Sequence, residues 1–373
     1  MRTRAAGSSD PAAPALTSDR IKGKARELGF DLCGVAAADS FPELSFLREW
    51  LDRGYAGEMG WLAKSVELRS DARRVLPGAR SVIMTGTLYN TDRPYSTELP
   101  ATAGHVSRHA WGDDYHRVLW ARHNRLVDWM RDVSPEPFET SALVDSGPVQ
   151  ERVYAQYAGL GWVGKNCCLI NPELGSWLFL GEIVTTLALE PDAQGLEQCG
   201  SCTKCLEACP SGALVEPGVL DARRCLSYLT IELRDAIPEP LRAMVGTHAY
   251  GCDICQEVCP YNQPAPVSDD PVWQPRAAFD APDLVALWQA SDDDLHRAII
   301  GGPMRRAKVA GLRRNLAVAI GNTGNPEAIA VLDAGSPERA SVADPMVQEH
   351  VAWARQAARA KRGQEILPGR AEP

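Results

Sequence analysis

The sequence lacks any long hydrophobic run. A membrane-spanning helix needs about 18 or more consecutive apolar residues, and the longest candidate, Ser176 to Leu189, is interrupted by Glu182. The N-terminus carries early arginines but not the apolar stretch of a secretory signal. We therefore expect a cytoplasmic protein with no membrane segment, whose residues 1–17 form a flexible tail.

Cysteine and net positive charge are also scarce. Eleven of the 373 residues are cysteine, a density far below that of a disulfide scaffold. The formal net charge of -9 excludes histone-like basicity but leaves room for a local basic patch. The 45% hydrophobic and 23% charged residues are typical of a globular protein with two or three domains.

The cysteines that are present cluster, since eight of them fall between Cys199 and Cys259. The first four have the C-x2-C-x2-C-x3-C-P spacing of bacterial ferredoxins. A second run, from Cys252 to Pro260, repeats the last three positions of that spacing, and Ala249 stands where its first cysteine would be. The isolated Cys225 is the obvious replacement for this missing ligand.

The ferredoxin pattern also predicts which cysteines share a cluster, because the fourth cysteine of each run serves the other cluster. We predict two 4Fe-4S clusters, one held by Cys199, Cys202, Cys205 and Cys259 and the other by Cys209, Cys225, Cys252 and Cys255. A structural zinc site is the alternative, since paired cysteines also bind zinc. Zinc, however, does not need the x3-C-P elements. Two adjacent clusters carry single electrons to a reaction that takes place elsewhere.

The segment 18–188 has the pattern of a mixed domain. It predicts helices over Asp19–Leu28, Tyr115–Met130 and Val149–Ala158, and strands over Ser81–Gly86 and Leu178–Leu189. A G-x-G-x-x-G run at 159–164 follows a helix and not a strand, so a dinucleotide site is disfavoured. A loop approaching another flat cofactor fits better, and plain turn glycines are the alternative. The run at 114–119 nearly matches the D-x-H-x-x-G cobalt motif but has Leu119 in place of glycine, so we interpret His116 as a structural residue.

Beyond a proline-rich linker, the pattern predicts helices around Leu284–Trp288 and from Leu312 onwards. The register of RRNLAVAI returns about 35 residues later in QEHVAWAR, which indicates a HEAT-like helical repeat over 266–362. The stretch 301–320 contains five cations and no acid, which suits a phosphate backbone. A merely solvated face is the alternative. With Arg297 just upstream, the candidate phosphate ligands are Arg297, Arg305, Arg306, Lys308, Arg313 and Arg314.

Together these features resemble the epoxyqueuosine reductase family. The matching stretches span most of 20–360 and include GYAGEMGWLAKSVELRSDARRVLPGARSVI, DDYHRVL, VDSGPVQERVYAQYAGLGWVGKNCCLINPELGSWLFLGEI, CGSCTKCLEACPSGAL, CLSYLTIELRDAIP and GCDICQEVCPYNQ. The resemblance implies an α+β, multi-domain protein. Its parts are a nitroreductase-like cobalamin-binding domain over 18–188, a ferredoxin-like module over 189–265, a helical tRNA-binding domain over 266–362 and a tail over 363–373.

The resemblance also implies a reaction. It is the reduction of epoxyqueuosine to queuosine at the wobble position of a tRNA with a GUN anticodon, by a monomer that holds base-off cobalamin. Flavodoxin or ferredoxin would supply the electrons. Asp145 of VDSGPV would be the proton donor, kept protonated at working pH by burial against the corrin face. The implied cobalamin contacts are Arg69, Arg108, Ser146, Gly147, Pro148, Gly161, Trp162, Gly164, Lys165, Asn166, Ser176, Leu180 and Ser227.

Three other functions remain to be weighed. A dehalogenase-like reductase of a small molecule would use the same cofactors, but the basic helical repeat and the missing export signal disfavour it. A pure electron carrier would need only 190–265, and a pure tRNA-binding module would not need clusters.

We interpret the three remaining cysteines, Cys33, Cys167 and Cys168, as packing residues.

Overall fold

The structure is a computed structural model that describes residues 16–100, 102–332 and 336–365. The α-helices are α1 (Ser18–Glu27), α2 (Phe46–Asp52), α3 (Gly60–Lys64), α4 (Val66–Arg69), α5 (Ala72–Val75), α6 (Tyr115–Val133), α7 (Glu151–Tyr157), α8 (Lys204–Ala208), α9 (Glu239–Arg242), α10 (Ile254–Glu257), α11 (Leu284–Gln289), α12 (Asp292–Ile299), α13 (Lys308–Thr323), α14 (Pro326–Ala330) and α15 (Pro345–Glu365). The strands are β1 (Leu32–Ala37), β2 (Ser81–Leu88), β3 (His105–Val106), β4 (Thr140–Leu143), β5 (Trp162–Val163), β6 (Leu169–Ile170), β7 (Leu178–Thr185), β8 (Leu214–Glu216), β9 (Val219–Leu220) and β10 (His248–Tyr250).

The largest sheet is antiparallel, with the strand order β1-β2-β7-β4. The two central strands, β2 and β7, pair over eight residues each, from Ser81 opposite Thr185 to Leu88 opposite Leu178. Helices α1 and α6 cover one face of the sheet, and α7 covers the other. Burial on both faces explains why β2 and β7 are nearly continuous apolar runs, and the mixed helix and sheet content of the expected fold class is confirmed.

The elements predicted from the sequence are present with shifted ends. The strand predicted to reach Leu189 ends at Thr185, and the helix predicted from Val149 begins at Glu151. The predicted N-terminal tail lies outside the described residues except for Leu16 and Thr17, and the Thr17 hydroxyl caps α1. The predicted C-terminal tail also lies outside them, except that 363–365 belong to α15. No described helix is long and apolar enough to cross a membrane.

The three predicted segments share cores. Strand β10, from the cysteine-rich segment, pairs in parallel with β3 of the first segment, with His248 opposite His105. Ala249 and Tyr250 of β10 pack into one core with Leu316 of α13. The cysteine-rich segment therefore lies between the sheet domain and the C-terminal helices, in contact with both.

Two buried arginines of α13 donate hydrogen bonds to the elements packed around this helix. Arg313 is 0% exposed and Arg314 1% exposed. Arg313 donates to the carbonyls of Leu287, Trp288 and Ala290 at the end of α11, and to Asp292. Cations satisfy the free carbonyls at a helix C-terminus. The prediction that Arg313 reaches a phosphate backbone is therefore wrong.

The same correction applies to Arg314. Its guanidinium donates to the carbonyls of Leu229, Leu233 and Asp235, at and beyond the π-helical turn Tyr228–Glu232. Burial lowers the pKa of Arg314 to about 10, so the side chain keeps its charge at neutral pH. It joins α13 to the cysteine-rich segment and has no path to a polyanion.

We predict that Arg314→Met destabilises the protein strongly. The variant leaves buried carbonyls without a donor, at about 1–3 kcal/mol each, so the free energy of unfolding should fall by about 3–5 kcal/mol. Thermal unfolding followed by circular dichroism measures the change. The exposed Arg305→Met is the matched control and should stay within about 0.5 kcal/mol. Equal midpoints in the two variants would contradict the structural role.

Candidate functional site: two thiol groups and an acidic cleft

The eight clustered cysteines divide in space as their spacing predicts. Cys199, Cys202, Cys205 and Cys259 line one cavity of about 690 Å³ that opens to solvent. In the part of the chain that the structure describes, no three His, Cys, Asp or Glu side chains converge closely enough for a single metal ion. An open cavity with four thiols suits a cluster of several atoms better than one zinc ion.

The other four thiols form a second, deeper group. Cys225 lies within electrostatic reach of Cys209, and Cys252 and Cys255 lie within reach of Cys225. Burial raises the pKa of Cys225, Cys252 and Cys255 above the value of a free thiol. The structure thus brings Cys225 to the cysteines that the spacing assigned to it. Ser227, one of the predicted cofactor contacts, lies beside this group, and its hydroxyl donates a hydrogen bond to the carbonyl of Cys252.

The glycine loop packs against the first thiol group. The Trp162 indole donates to the Cys199 sulfur at 3.4 Å, Lys165 donates to the carbonyls of Gly200 and Cys202, and Asn166 donates to the carbonyl of Cys255. A Cβ on Gly161 would lie 2.1 Å from the Ile170 carbonyl oxygen, and a Cβ on Gly164 would lie 2.4 Å from the Ile170 side chain. The loop therefore packs closely against the cysteines, and its predicted contacts to a flat cofactor stay a prediction.

A separate cleft of about 660 Å³ opens between β7 and the cysteine-rich segment. Its lining is Tyr89, His109, Tyr115, Asp145, Glu151, Arg152, Cys168, Leu169, Ser176, Leu178, Phe179, Leu180 and Gln256. Of the predicted site residues, Asp145, Ser176 and Leu180 lie here. The Ser176 hydroxyl donates to Gln256 at 2.9 Å, which ties the two walls together. Cys168, interpreted from the sequence as a packing residue, also lines this cleft.

Asp145 is held in the cleft by two neighbours from α6. Its Oδ2 accepts from the Tyr115 hydroxyl at 2.8 Å and lies 3.1 Å from His116 Nε2. Asp114 holds the other imidazole nitrogen at 2.8 Å. Asp145 has a φ of 55°, a left-handed conformation that is uncommon outside glycine and concentrates at functional sites. The interpretation of His116 as a structural residue is wrong, because it contacts the candidate acid directly.

These contacts lower the pKa of Asp145 below the ordinary value of an aspartate. The enclosing cleft would raise the pKa of this carboxyl, but the hydrogen bonds from His116 and Tyr115 and the charge of His116 lower it to about 2. For His116, burial is outweighed by Asp114 and Asp145, which raise its pKa to about 9. The expected protonation of Asp145 depends on burial against a bound corrin face, so it stays a prediction. In this structure the transferable proton resides on His116, beside an ionised Asp145.

The remaining predicted cofactor contacts surround the cleft unevenly. Ser146, Gly147 and Pro148 follow Asp145 in its loop, and a Cβ on Gly147 would collide with Leu143 at 2.8 Å. Arg69 is buried under this loop and donates to the Val149 carbonyl. Arg108 does not reach the cleft, because its guanidinium is buried against the carbonyls of 91–94 in the wall of a different cavity. The prediction that Arg108 contacts a cofactor in this cleft is therefore wrong.

Exposed cations border the site on the side of the C-terminal helices. Arg305, Arg306 and Lys308 are exposed, and the charge of Arg306 reaches Asp145. Arg306 is ion-paired with Glu232, and Arg297 with Asp294. Sequence reasoning missed Arg234, which is exposed and donates to the Arg306 carbonyl. It also missed three residues of the cleft: His109, which lies in no quoted motif, and Glu151 and Arg152, which lie in the VDSGPVQERVYAQY stretch but were not singled out.

The His116–Asp145 pair should give the protein a characteristic pH dependence of stability. The raised pKa of His116 stabilises the fold fully below pH 6.5, and this contribution is lost as pH rises through about 9. The lowered pKa of Asp145 adds stability above pH 3.8, which is lost as pH falls through about 2. We therefore predict that His116→Gln lowers the thermal midpoint most between pH 3.8 and 6.5, with no difference above about 9.

The exposed His296 provides the matched control, since His296→Gln removes an imidazole outside the cleft. Thermal unfolding of the three proteins across pH measures the effect. A midpoint difference for His116→Gln that is constant across pH would show that the imidazole acts by packing and not as a charged partner.

Comparison with known proteins identifies the family. The family model described as "4Fe-4S double cluster binding domain" matches residues 198–262, and that described as "Epoxyqueuosine reductase QueG, DUF1730" matches residues 69–146. The chain is 44% identical over 323 residues to the epoxyqueuosine reductase of Gloeobacter violaceus, covering 85% of this chain and 99% of that one. It is 38% identical over 346 residues to that of Escherichia coli, covering 90% and 88%.

Solved structures agree with the sequence relatives. A crystal structure of epoxyqueuosine reductase with an epoxyqueuosine-modified tRNA-Tyr stem loop superposes with a TM-score of 0.81 at 30% identity, covering 94% of each chain. The enzyme from Bacillus subtilis, described with its catalytic aspartate loop swung out of the active site, superposes with a TM-score of 0.81 at 30% identity, covering 91% and 90%. The chain belongs to the epoxyqueuosine reductase family.

Proposed function

We propose that this protein reduces epoxyqueuosine to queuosine at the wobble position of tRNA. The relatives at 38–44% identity carry the name of this activity, and one solved relative is described with a modified tRNA stem loop. The observation in this structure that carries the proposal is the position of Asp145. It lies in an open cleft whose far wall, at Gln256, belongs to the segment with the eight cysteines. Electrons and protons can therefore meet in one place.

The cleft also suits the flat cofactor that the family resemblance implies. Its lining combines the apolar Leu169, Leu178 and Leu180 with the polar Asp145 and Gln256. We propose that base-off cobalamin would lie against the apolar part of the lining, with the substrate base beside Asp145. Cobalamin supplies a strongly reducing cobalt centre when bound. Of the predicted contacts, Ser176 and Leu180 are placed to hold it.

The protein's own residues position the substrate and move protons. His116 holds a proton against Asp145, and Asp114 fixes the imidazole orientation from behind. As an epoxide oxygen gains negative charge, a proton can pass from His116 through Asp145 to that oxygen, which is general acid catalysis. The relative whose aspartate loop is described as swung out of the active site supports a working role for the Asp145 loop.

Electron supply and cellular context complete the proposal. A flavodoxin or ferredoxin would deliver electrons to the cavity of Cys199, Cys202, Cys205 and Cys259, which opens to solvent, and the deeper thiol group would pass them on. We propose a cytoplasmic monomer with a HEAT-like helical domain for tRNA binding. A dehalogenase-like reductase is not favoured, because the close relatives carry the name of the tRNA-modifying activity.

Asp145→Asn tests the proposed function. The amide keeps the shape of the side chain but cannot pass a proton, so turnover of epoxyqueuosine-modified tRNA should fall by about 10²–10⁴. Iron and cobalt content should stay at wild-type levels. The exposed Asp128→Asn on α6 is the control. Full turnover by a cofactor-loaded Asp145→Asn protein would exclude this residue as the acid, and no turnover by the loaded wild type would exclude the function.

Cys225→Ser tests the ligand assignment. Loss of this thiolate should reduce the iron content of anaerobically purified protein from about eight atoms per chain towards four. Cys167→Ser is a sharp control, because its thiol lies within electrostatic reach of Cys225 and Cys205 but outside the proposed ligand set. Iron loss in Cys167→Ser with full iron in Cys225→Ser would transfer the ligand role to Cys167.

The tRNA-binding surface also differs from the one that the sequence suggested. With Arg313 and Arg314 buried, we propose that phosphates contact a cationic rim made of Arg234, Arg305, Arg306 and Lys308. These residues are exposed on the C-terminal side of the cleft. Arg297 is exposed in the same helical segment and is ion-paired with Asp294, as Arg306 is with Glu232, so it remains a further candidate phosphate contact. A rim at the cleft mouth would hold the anticodon stem while the wobble base enters.

Neutralising Arg305 and Arg306 together should weaken tRNA binding. Each lost phosphate contact reduces counterion release, so the slope of log affinity against log salt should flatten by about one to two units. Arg131→Gln, near the far end of α6, is the control. It lies 16 residues from Tyr115, about 24 Å along the helix. An unchanged slope in the double variant would place the tRNA elsewhere.

A further inference from the structure

Two carboxyl groups behind Asp145 have no role in the chemistry described so far. Glu182 lies on the central strand β7, between Met84 and Leu143 of the neighbouring strands, and is 0% exposed. Among the described residues, no donor lies within hydrogen-bond distance of either of its carboxyl oxygens. It faces Glu151, the first residue of α7, closely enough for one proton to be shared between the two carboxyls.

The surroundings of this dyad, Glu151 and Glu182, keep it protonated. Two carboxyls in contact resist ionising together, and burial disfavours the charge of each, so the pair retains a proton until a basic acceptor takes it. Three charged groups face the dyad: Asp145, Arg152 and Arg69. Arg69 is engaged by the Val149 carbonyl and the Ser65 hydroxyl. Burial and the charge of Asp145 raise the pKa of Glu151 to about 7, and burial with Glu151 raises that of Glu182 well above 4.5.

The dyad is also joined to the reaction site. Glu151 lines the cleft, and its Oε1 accepts a hydrogen bond from the backbone N–H of Asp145 at 2.5 Å. A neutral carboxyl can accept with one oxygen and donate with the other. Glu151 can therefore hold the Asp145 loop in place and present a proton to the cleft at the same time.

The proposed reaction needs two protons. Reduction of the epoxide breaks both of its C–O bonds and forms one C=C bond. Two electrons arrive singly from the low-potential donor through the clusters. The oxygen leaves as water, which requires two protons. The His116–Asp145 pair holds one transferable proton, so a second source must stand at the cleft.

We propose that the Glu151–Glu182 dyad supplies this second proton. Glu151 delivers it, and Glu182 is a positioning residue that keeps one proton on the pair. This inference rests on the proposed function and goes beyond it by naming the second donor. A purely structural role does not account for Glu182, because a second carboxyl buried against Glu151 costs stability that an amide or apolar side chain would not.

Infrared spectroscopy of the substrate-free holoenzyme tests the dyad directly. At pH 7 the wild type should show the C=O stretch of a protonated, buried carboxyl. In Glu182→Gln the remaining Glu151 can ionise beside a neutral amide donor, so this band should be lost at pH 7 and return at lower pH. A wild type with no protonated-carboxyl band at pH 7, or a band unchanged in both Glu182→Gln and Glu151→Gln, would overturn the proposal.

The pH profile of turnover tests the role in catalysis. Glu182→Gln should shift the alkaline limb of kcat to lower pH by at least one unit, with near-wild-type turnover at pH 6. Glu151→Gln should lose about 10²-fold or more at every pH. A Glu182→Gln protein with the wild-type profile would show that Glu182 acts in folding only. The thermal midpoint of Glu182→Gln should equal or exceed that of the wild type.

The experiments distinguish failure of the proposed function from failure of the proposed role of the dyad. If the loaded wild type does not reduce epoxyqueuosine in tRNA, the proposed function fails while the infrared band still reports the dyad. If the wild type turns over and Glu182→Gln changes neither the band nor the profile, the function stands and the dyad has no part in proton supply.

Discussion

The structure depends on the way in which the cysteine-rich segment is buried. The apolar side chains of this segment pack into shared clusters, such as Leu229 with Val318 of α13, and Cys259 with Trp162 of the glycine loop. Because the segment is held on both sides, one of its edges becomes the wall of the cleft. Electron supply and acid chemistry are therefore adjacent as a result of packing.

Much of the cluster chemistry could be predicted from the sequence, because ligand spacing is a local property. The ferredoxin spacing marks its cysteines as cluster ligands almost regardless of context, and the isolated Cys225 was the obvious candidate for the one ligand missing from the second run. The paired strands β2 and β7 were also predictable, since a strand buried on both faces is a continuous apolar run. The ends of the elements were less so, because helix and strand ends depend on individual hydrogen bonds.

The acid-free stretch of α13 was misread for a physical reason. A sequence window counts charges but does not show what neutralises them. Arg314 is satisfied mainly by backbone carbonyls, which have no signature in the sequence, and Arg313 pairs with Asp292, 21 positions away. Likewise, His116 and Asp145 lie 29 positions apart in a helix and a loop. Only the fold brings them together, so the failed cobalt motif around His116 concealed a residue of the acid site.

The loop of Asp145 is held by polar contacts more than by packing. Its left-handed residue costs about 1–3 kcal/mol and keeps that conformation through hydrogen bonds from Tyr115 and His116 to its carboxylate and from its N–H to Glu151. Two of these partners have raised pKa values, about 9 for His116 and about 7 for Glu151. The protonation state that makes the site acidic is therefore also what holds the acid in position. A proton that leaves His116 removes the charge that attracts Asp145, so chemistry and loop position are linked through the same few atoms.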